Sequence, residues 1–169
     1  MKGIKAEPEV DVQIDLNVTS YIPDKYISDS NQKIEIYQNI ALCKNEQDIQ
    51  NVIDEIIDRF GNMPEELENL IDIARIKYLA KTQNVSKIVS KKTAVVFTYE
   101  PNKFETDISD LVKKYGNKIR FSAGIKPMVT VEIGSNNERQ ILNDVTEFLK
   151  MWWSKIEINL QNYRNNDEK

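Results

Sequence analysis

A chain of 169 residues, 40% hydrophobic and 30% charged, is large enough for one domain with a real core and too apolar to be a disordered tract. With no histidine and a single cysteine, Cys43, it excludes a Ser-His-Asp triad, a His-ligated or Cys-based metal centre and an intrachain disulfide. The net charge of −4 is uneven: residues 1–90 hold ten Lys or Arg against sixteen Asp or Glu, and residues 91–169 hold thirteen against eleven. An acidic first half argues against a nucleic-acid surface there and favours a basic protein partner or simple solubility.

No run is long and apolar enough to span a membrane, and the opening M-K-G-I-K-A-E-P has no apolar signal core. The expectation is a soluble, cytoplasmic chain with no membrane partner. Residues 1–9 read as a linker remnant, 10–163 as a single domain and 164–169 as a tail that frays. Val10, Val12, Ile14, Leu16 and Val18 alternate with polar residues, which predicts a half-buried strand. The irregular stretch that follows carries Tyr21, Ile22, Tyr26 and Ile27 as an apolar anchor, and Pro23 holds Ile22 extended.

Asp29 with Gln32 predicts a capped helix over about residues 30–43. Asn45 then caps a second helix, with Glu46 and Asp48 in its first turn. In it Ile49, Val52, Ile53, Ile56, Ile57 and Phe60 recur on one face, and Asp54, Glu55 and Asp58 fall opposite. Gly61 ends it where a positive φ is needed, and Phe60, Gly61 and Pro64 are assigned to a structural turn. The third helix, to about Gln83, has two apolar stripes: Leu67, Leu70, Ile71, Ala74 and Tyr78 on one side, Ile73, Ile76 and Ala80 on the other. Such a helix is sandwiched between other elements and belongs near the middle of the fold.

After Asn84 the pattern changes. Val85–Ser90 and Thr93–Tyr99 read as strands joined at Lys91-Lys92. Phe104, Ile108, Leu111, Val112 and Tyr115 are spaced for a helix ending at Gly116-Asn117, Ile119–Phe121 for a short strand and Met128–Ile133 for a strong one. Asn136 or Asn137 caps a last helix through Ile141, Leu142, Val145, Phe148, Leu149, Trp152, Trp153 and Ile156. The fold class is α+β: an N-terminal strand, a three-helix segment with a central helix, then a small mixed sheet with two further helices.

The chemistry is sparse. Gly116-Asn117-Lys118 is a helix cap rather than a phosphate loop, so the chain should neither bind nor hydrolyse a nucleoside triphosphate by itself. Adjacent Glu65 and Glu66 point apart on a helix and suit its first turn. Asp54 and Asp58 lie one turn apart and read as a solvated face rather than a cation site. No catalytic residue, cofactor site or metal site is assigned. What is left is Glu55, Asp58 and Arg59 beside the reversal at Gly61: Glu55 and Arg59 stand in the acid-first order that favours an i,i+4 pair, and spacing alone favours a surface ion pair of modest worth over a charged docking patch. Trp153 cannot face the core together with Trp152 and is the candidate for partial exposure, where it either covers the sheet edge, the favoured reading, or anchors a partner.

These residues bear a family likeness. D-R-F-G-x-x-P at Asp58–Pro64, followed by E-N-L and I-A-R-I-K, resembles the C-terminal domain of the bacterial transcription-repair coupling factor. I-D-L at Ile14–Leu16, Y-I-P-D-K-Y-I-S-D at Tyr21–Asp29 and I-E-I-Y at Ile34–Tyr37 agree in order and spacing. The match runs from about Glu7 to Val85; beyond that it is one of pattern and length. The resemblance implies a non-catalytic, autoinhibitory piece of a double-stranded DNA translocase that removes stalled RNA polymerase and recruits excision-repair proteins. It implies docking on the protein's own N-terminal UvrB-like module, masking the surface offered to UvrA. RNA polymerase and UvrA would be reached only through the full-length protein, and DNA through its motor. The chain, lacking that motor, reads as a fragment. The resemblance also implies that Glu55, Asp58 and Arg59 contribute to interdomain docking. The alternative is an accessory nucleic-acid-binding domain assisting the motor, supported by the more positive second half and Trp153.

Overall fold

The computed structural model describes residues 11–101, 103–104 and 108–151. The expected linker at 1–9, Val10, the tail at 164–169, and Trp152, Trp153 and Ile156 lie outside the described residues. Among the described residues ten α-helices and β-strands follow in order, with a 3-10 turn (Gly116–Lys118) between α4 and β4: β1 (Gln13–Asp15), α1 (Ser30–Leu42), α2 (Glu46–Phe60), α3 (Glu65–Thr82), β2 (Val85–Lys91), β3 (Ala94–Tyr99), α4 (Ser109–Tyr115), β4 (Ile119–Ser122), β5 (Met128–Glu132) and α5, described over residues 138–151. The architecture is the expected α+β arrangement.

The five strands form one mixed sheet in the order β1-β2-β3-β5-β4. Strand β1 pairs parallel to β2, with Ile14 opposite Ile88, and the other pairs are antiparallel. Parallel neighbours need a crossover connection, and here the crossover is the whole three-helix segment α1–α3. Strand β1 is shorter than the alternation of residues 10–18 predicts, although Val12 and Leu16 on either side of it are buried. The hairpin from β2 to β3 turns at Lys92, whose φ is +54°.

Local signals set the helix ends. The Asp29 carboxylate accepts from the Gln32 N–H at 2.9 Å, and the Asn45 side chain accepts from the Asp48 N–H at 2.9 Å, each replacing a helical acceptor that the first turn lacks. Asn137, one of the two candidates for the last helix, accepts from the Gln140 N–H at 3.0 Å. Pro64 stands at the N-cap of α3 rather than inside its first turn, and Glu65, Glu66 and Glu68 follow against the positive helix end.

The buried side chains fall into two cores. One lies under the sheet, with Ile88, Val95, Phe97 and Val129 from strands and Leu142, Val145, Phe148 and Leu149 from α5; Phe97 stacks on Phe148 at 4.2 Å between centroids. The other lies among the helices, with Ile22 and Ile27 of the irregular segment, Ile36 and Ile40 of α1, and Ile49, Val52 and Ile56 of α2. Helix α3 serves both. Leu67 and Ile71 enter the helical core, Ile76, Leu79 and Ala80 enter the sheet core, and Tyr78 packs against each. The two-sided stripe thus has the sandwiched position expected of it.

Several apolar side chains at helical spacing are nonetheless outside. Ile57 is 46% and Ile34 54% exposed, and Val112 is also exposed, as is Tyr21 of the irregular segment. An apolar arc wider than the neighbour it faces leaves its margin in water. Cys43 is only half buried, its thiol donating to the Asn39 carbonyl at 3.3 Å.

Candidate docking surface

The end of α2 is anchored before any charge is considered. The Gly61 N–H donates to the Ile57 carbonyl at 2.9 Å, and Gly61 has φ +81°. Its own carbonyl accepts from the Tyr26 hydroxyl at 2.7 Å, and the Tyr26 ring lies 6.1 Å from that of Phe60. Phe60 packs against the helical core, so the reversal from Phe60 through Gly61 to Pro64 is held by ring packing and by two hydrogen bonds.

On this base stand the three predicted docking residues. Arg59 Nη1 donates to Glu55 Oε1 at 2.6 Å, the expected i,i+4 pair. The same guanidinium reaches across to α1, with Nη2 donating to Glu35 Oε2 at 3.2 Å, and its Cζ lies 5.0 Å over the Phe60 ring. These hydrogen bonds, the one to Glu35 foremost, push the Arg59 pKa up and keep it charged. Asp58 is exposed and, among the described residues, has no hydrogen-bond or ion-pair partner. Asp54, the other half of the one-turn carboxylate pair, accepts from the Gln50 amide at 2.8 Å. Two carboxylates on the guanidinium, with Asp58 next to Arg59 in sequence, leave the cluster net negative.

Glu35 is the member that sequence reasoning missed. The short link between α1 and α2 does carry a signal, since it makes the helices antiparallel neighbours and sets the start of α1 beside the end of α2. Equally unforeseen is a second network that laces the helices to α5. Arg139 Nη1 donates to Asp72 Oδ2 at 2.5 Å and Nη2 to Glu68 Oε2 at 2.8 Å. Arg75 bridges Asp72 at 2.5 Å and Glu46 at 2.7 Å, and the Tyr78 hydroxyl donates to Glu46 Oε2 at 2.8 Å. Burial, then the bond to Glu46, pushes the Tyr78 phenol up to about 12.

Among the described residues no three His, Cys, Asp or Glu side chains are placed to hold a metal ion, and no helix is long and apolar enough to cross a membrane. Fold and surface together define an α+β domain whose helical crossover presents charge clusters to solvent. Residues 16–109, over half the chain, match the TRCF domain family. The chain is 34% identical over 146 residues to the transcription-repair-coupling factor of Rickettsia prowazekii (strain Madrid E), covering 86% of this chain and 12% of the relative. It is 32% identical over 163 residues to that of Rickettsia typhi (strain ATCC VR-144 / Wilmington), covering 93% and 14%. With that of Bacillus subtilis (strain 168) it shares 32% over 155 residues, covering 88% and 13%. A crystal structure described as the C-terminal domain of transcription-repair coupling factor superposes with a TM-score of 0.66, over 83% of this chain and 92% of the other, at 23% identity, a likeness of fold. The chain belongs to the transcription-repair coupling factor family and carries its C-terminal TRCF domain. It spans about one-eighth of the length of the curated relatives it matches.

Proposed function

We propose that this is a non-catalytic, autoinhibitory domain of a cytoplasmic transcription-coupled repair translocase. It docks through the end of α2 on the N-terminal UvrB-like module of the same protein and masks the surface that the module offers to UvrA. Contacts with RNA polymerase and DNA belong to the rest of that protein. The observation that carries this reading is Asp58, an exposed carboxylate with no partner among the described residues, beside a net negative cluster on an anchored turn. A basic neighbour would find a free carboxylate at Asp58 and the second oxygen of Glu55, whereas both oxygens of Glu35 already accept from Arg59. Tethering within one protein makes so modest a contact effective, because the partner is always close by.

Glu55 already engages Arg59, so the two carboxylates are not equivalent. Loss of Glu55 leaves Arg59 to Glu35, whereas loss of Asp58 removes the open acceptor. In the full-length protein, Glu55→Ala with Asp58→Ala is expected to tighten UvrA binding about three- to tenfold, the scale of one or two charge-assisted contacts, with Asp58→Ala alone carrying most of it. Circular dichroism checks that the fold is kept. UvrA affinity equal to wild type would remove this patch from the mechanism. The nucleic-acid alternative has less support, because Lys113, Lys114, Arg120 and Arg139 each lie within ion-pair distance of a carboxylate of this chain.

A further inference from the structure

We propose that the groove between α1 and α3 is a second docking site, which takes an acidic peptide segment presenting one large apolar side chain. It is built on α1 and α3, whereas the acidic patch is built on α1 and α2. The floor is apolar: Ile40 and Ala41 from the end of α1 face Ala74 and Tyr78 of α3. Two alanines where helices usually carry larger side chains leave a trough of about 190 Å³, room for one large apolar side chain. Such anchors in desolvated pockets dominate the energy of peptide docking.

The rim sets the charge of the occupant. Lys44 and Lys77 line the groove, and among the described residues neither ammonium has a carboxylate at ion-pair distance. Two carboxylates beside the groove are already engaged. Asp48 accepts from the Lys44 backbone N–H at 2.9 Å, and Glu46 is held by Arg75 and Tyr78. Lys44 and Lys81 stand at the ends of α1 and α3, where positive charge also suits the helix dipole. Lys77 lies a turn earlier, out of the dipole's reach, beside an apolar floor in the acidic half of the chain. An apolar trough with cationic edges is complementary to a glutamate- or aspartate-rich segment with a hydrophobic anchor. A phosphate backbone would satisfy the lysines and leave the trough unfilled.

The test uses the 169-residue chain, labelled with 15N. The probe is a short fluorescein-labelled, glutamate-rich peptide with one central phenylalanine. Controls are the same peptide with serine for phenylalanine, a lysine-rich version and a short oligothymidylate. The expected result is amide shifts centred on Ala41, Cys43 and Ala74, with the serine peptide about tenfold weaker by fluorescence anisotropy. Lys44→Glu with Lys77→Glu is expected to weaken binding about tenfold, and Lys44→Arg with Lys77→Arg to preserve it. Should the charge reversal disturb the fold, Ala41→Gln at an exposed helical position fills the trough and is expected to abolish the shifts. Absent or scattered shifts overturn the proposal, as do equal binding of both phenylalanine and serine peptides and an oligothymidylate that moves the same amides as strongly.

Discussion

At the scale of single residues, Glu46 shows how tertiary structure changes the work of a side chain. Its place in the first turn of α2 already favours a carboxylate. Hydrogen bonds from Arg75 hold its pKa below the ordinary 4.5, against the opposing effect of burial, and the Tyr78 hydroxyl adds to them. A lowered folded-state pKa stabilises the fold above the unfolded value. That stabilisation is lost as the pH falls below about 4.5 and through the folded-state value. Glu46→Gln is expected to cost about 0.5–1 kcal/mol at neutral pH, modest because the Glu46 side chain is half exposed. It should also flatten the acid limb of stability against pH. Urea melts from neutral pH to pH 3 measure both, and superimposable acid limbs would show that Glu46 is not a source of the acid sensitivity.

At the scale of elements, the reversal between α2 and α3 is a tightly constrained piece of backbone. Gly61 combines φ +81° with ψ −159°, a region that side chains make almost inaccessible. Nothing lies within 4 Å of where a Cβ would stand, so substitution meets backbone strain and no steric clash. Gly61→Ala is expected to lower stability by about 1–3 kcal/mol with helix content kept. An unchanged urea midpoint would mean that the turn relaxes into another conformation at no cost. This element was readable in advance: a glycine directly after an apolar helical repeat, then a proline and two glutamates, specifies stop and restart through local geometry alone. Glu35 was not readable to the same degree. It lies 24 residues before Arg59, and what brings them together is the pairing of two helices.

At the scale of the whole molecule, α3 makes one body out of two cores. Leu67, fully buried in the helical core, and Ile76, fully buried in the sheet core, sit on the same helix less than three turns apart. Leu67→Ala is expected to cost about 2–5 kcal/mol. Because the cores share α3, amide hydrogen exchange should speed up in β3 as well as in α1. Faster exchange confined to α1 and α2 would show two units that open independently. The parallel pairing of β1 with β2 works in the same direction, since it ties the two ends of the helical segment to one sheet.

By itself the sequence determined the element order, the caps at Asp29, Asn45 and Gly61, the two-sided character of α3 and the family likeness. All of these reside in near-neighbour spacing, where 3.6- and 2-residue periods and the special conformations of glycine and proline are legible. The tertiary structure alone decided the strand order, with β5 between β3 and β4, the burial of some apolar side chains and the exposure of Ile34 and Ile57, and the partners of the charges. Ion pairs such as Arg139 with Asp72 join residues 67 positions apart. No periodicity records such a meeting, because it is set by how helices pack after the hydrophobic faces have found each other.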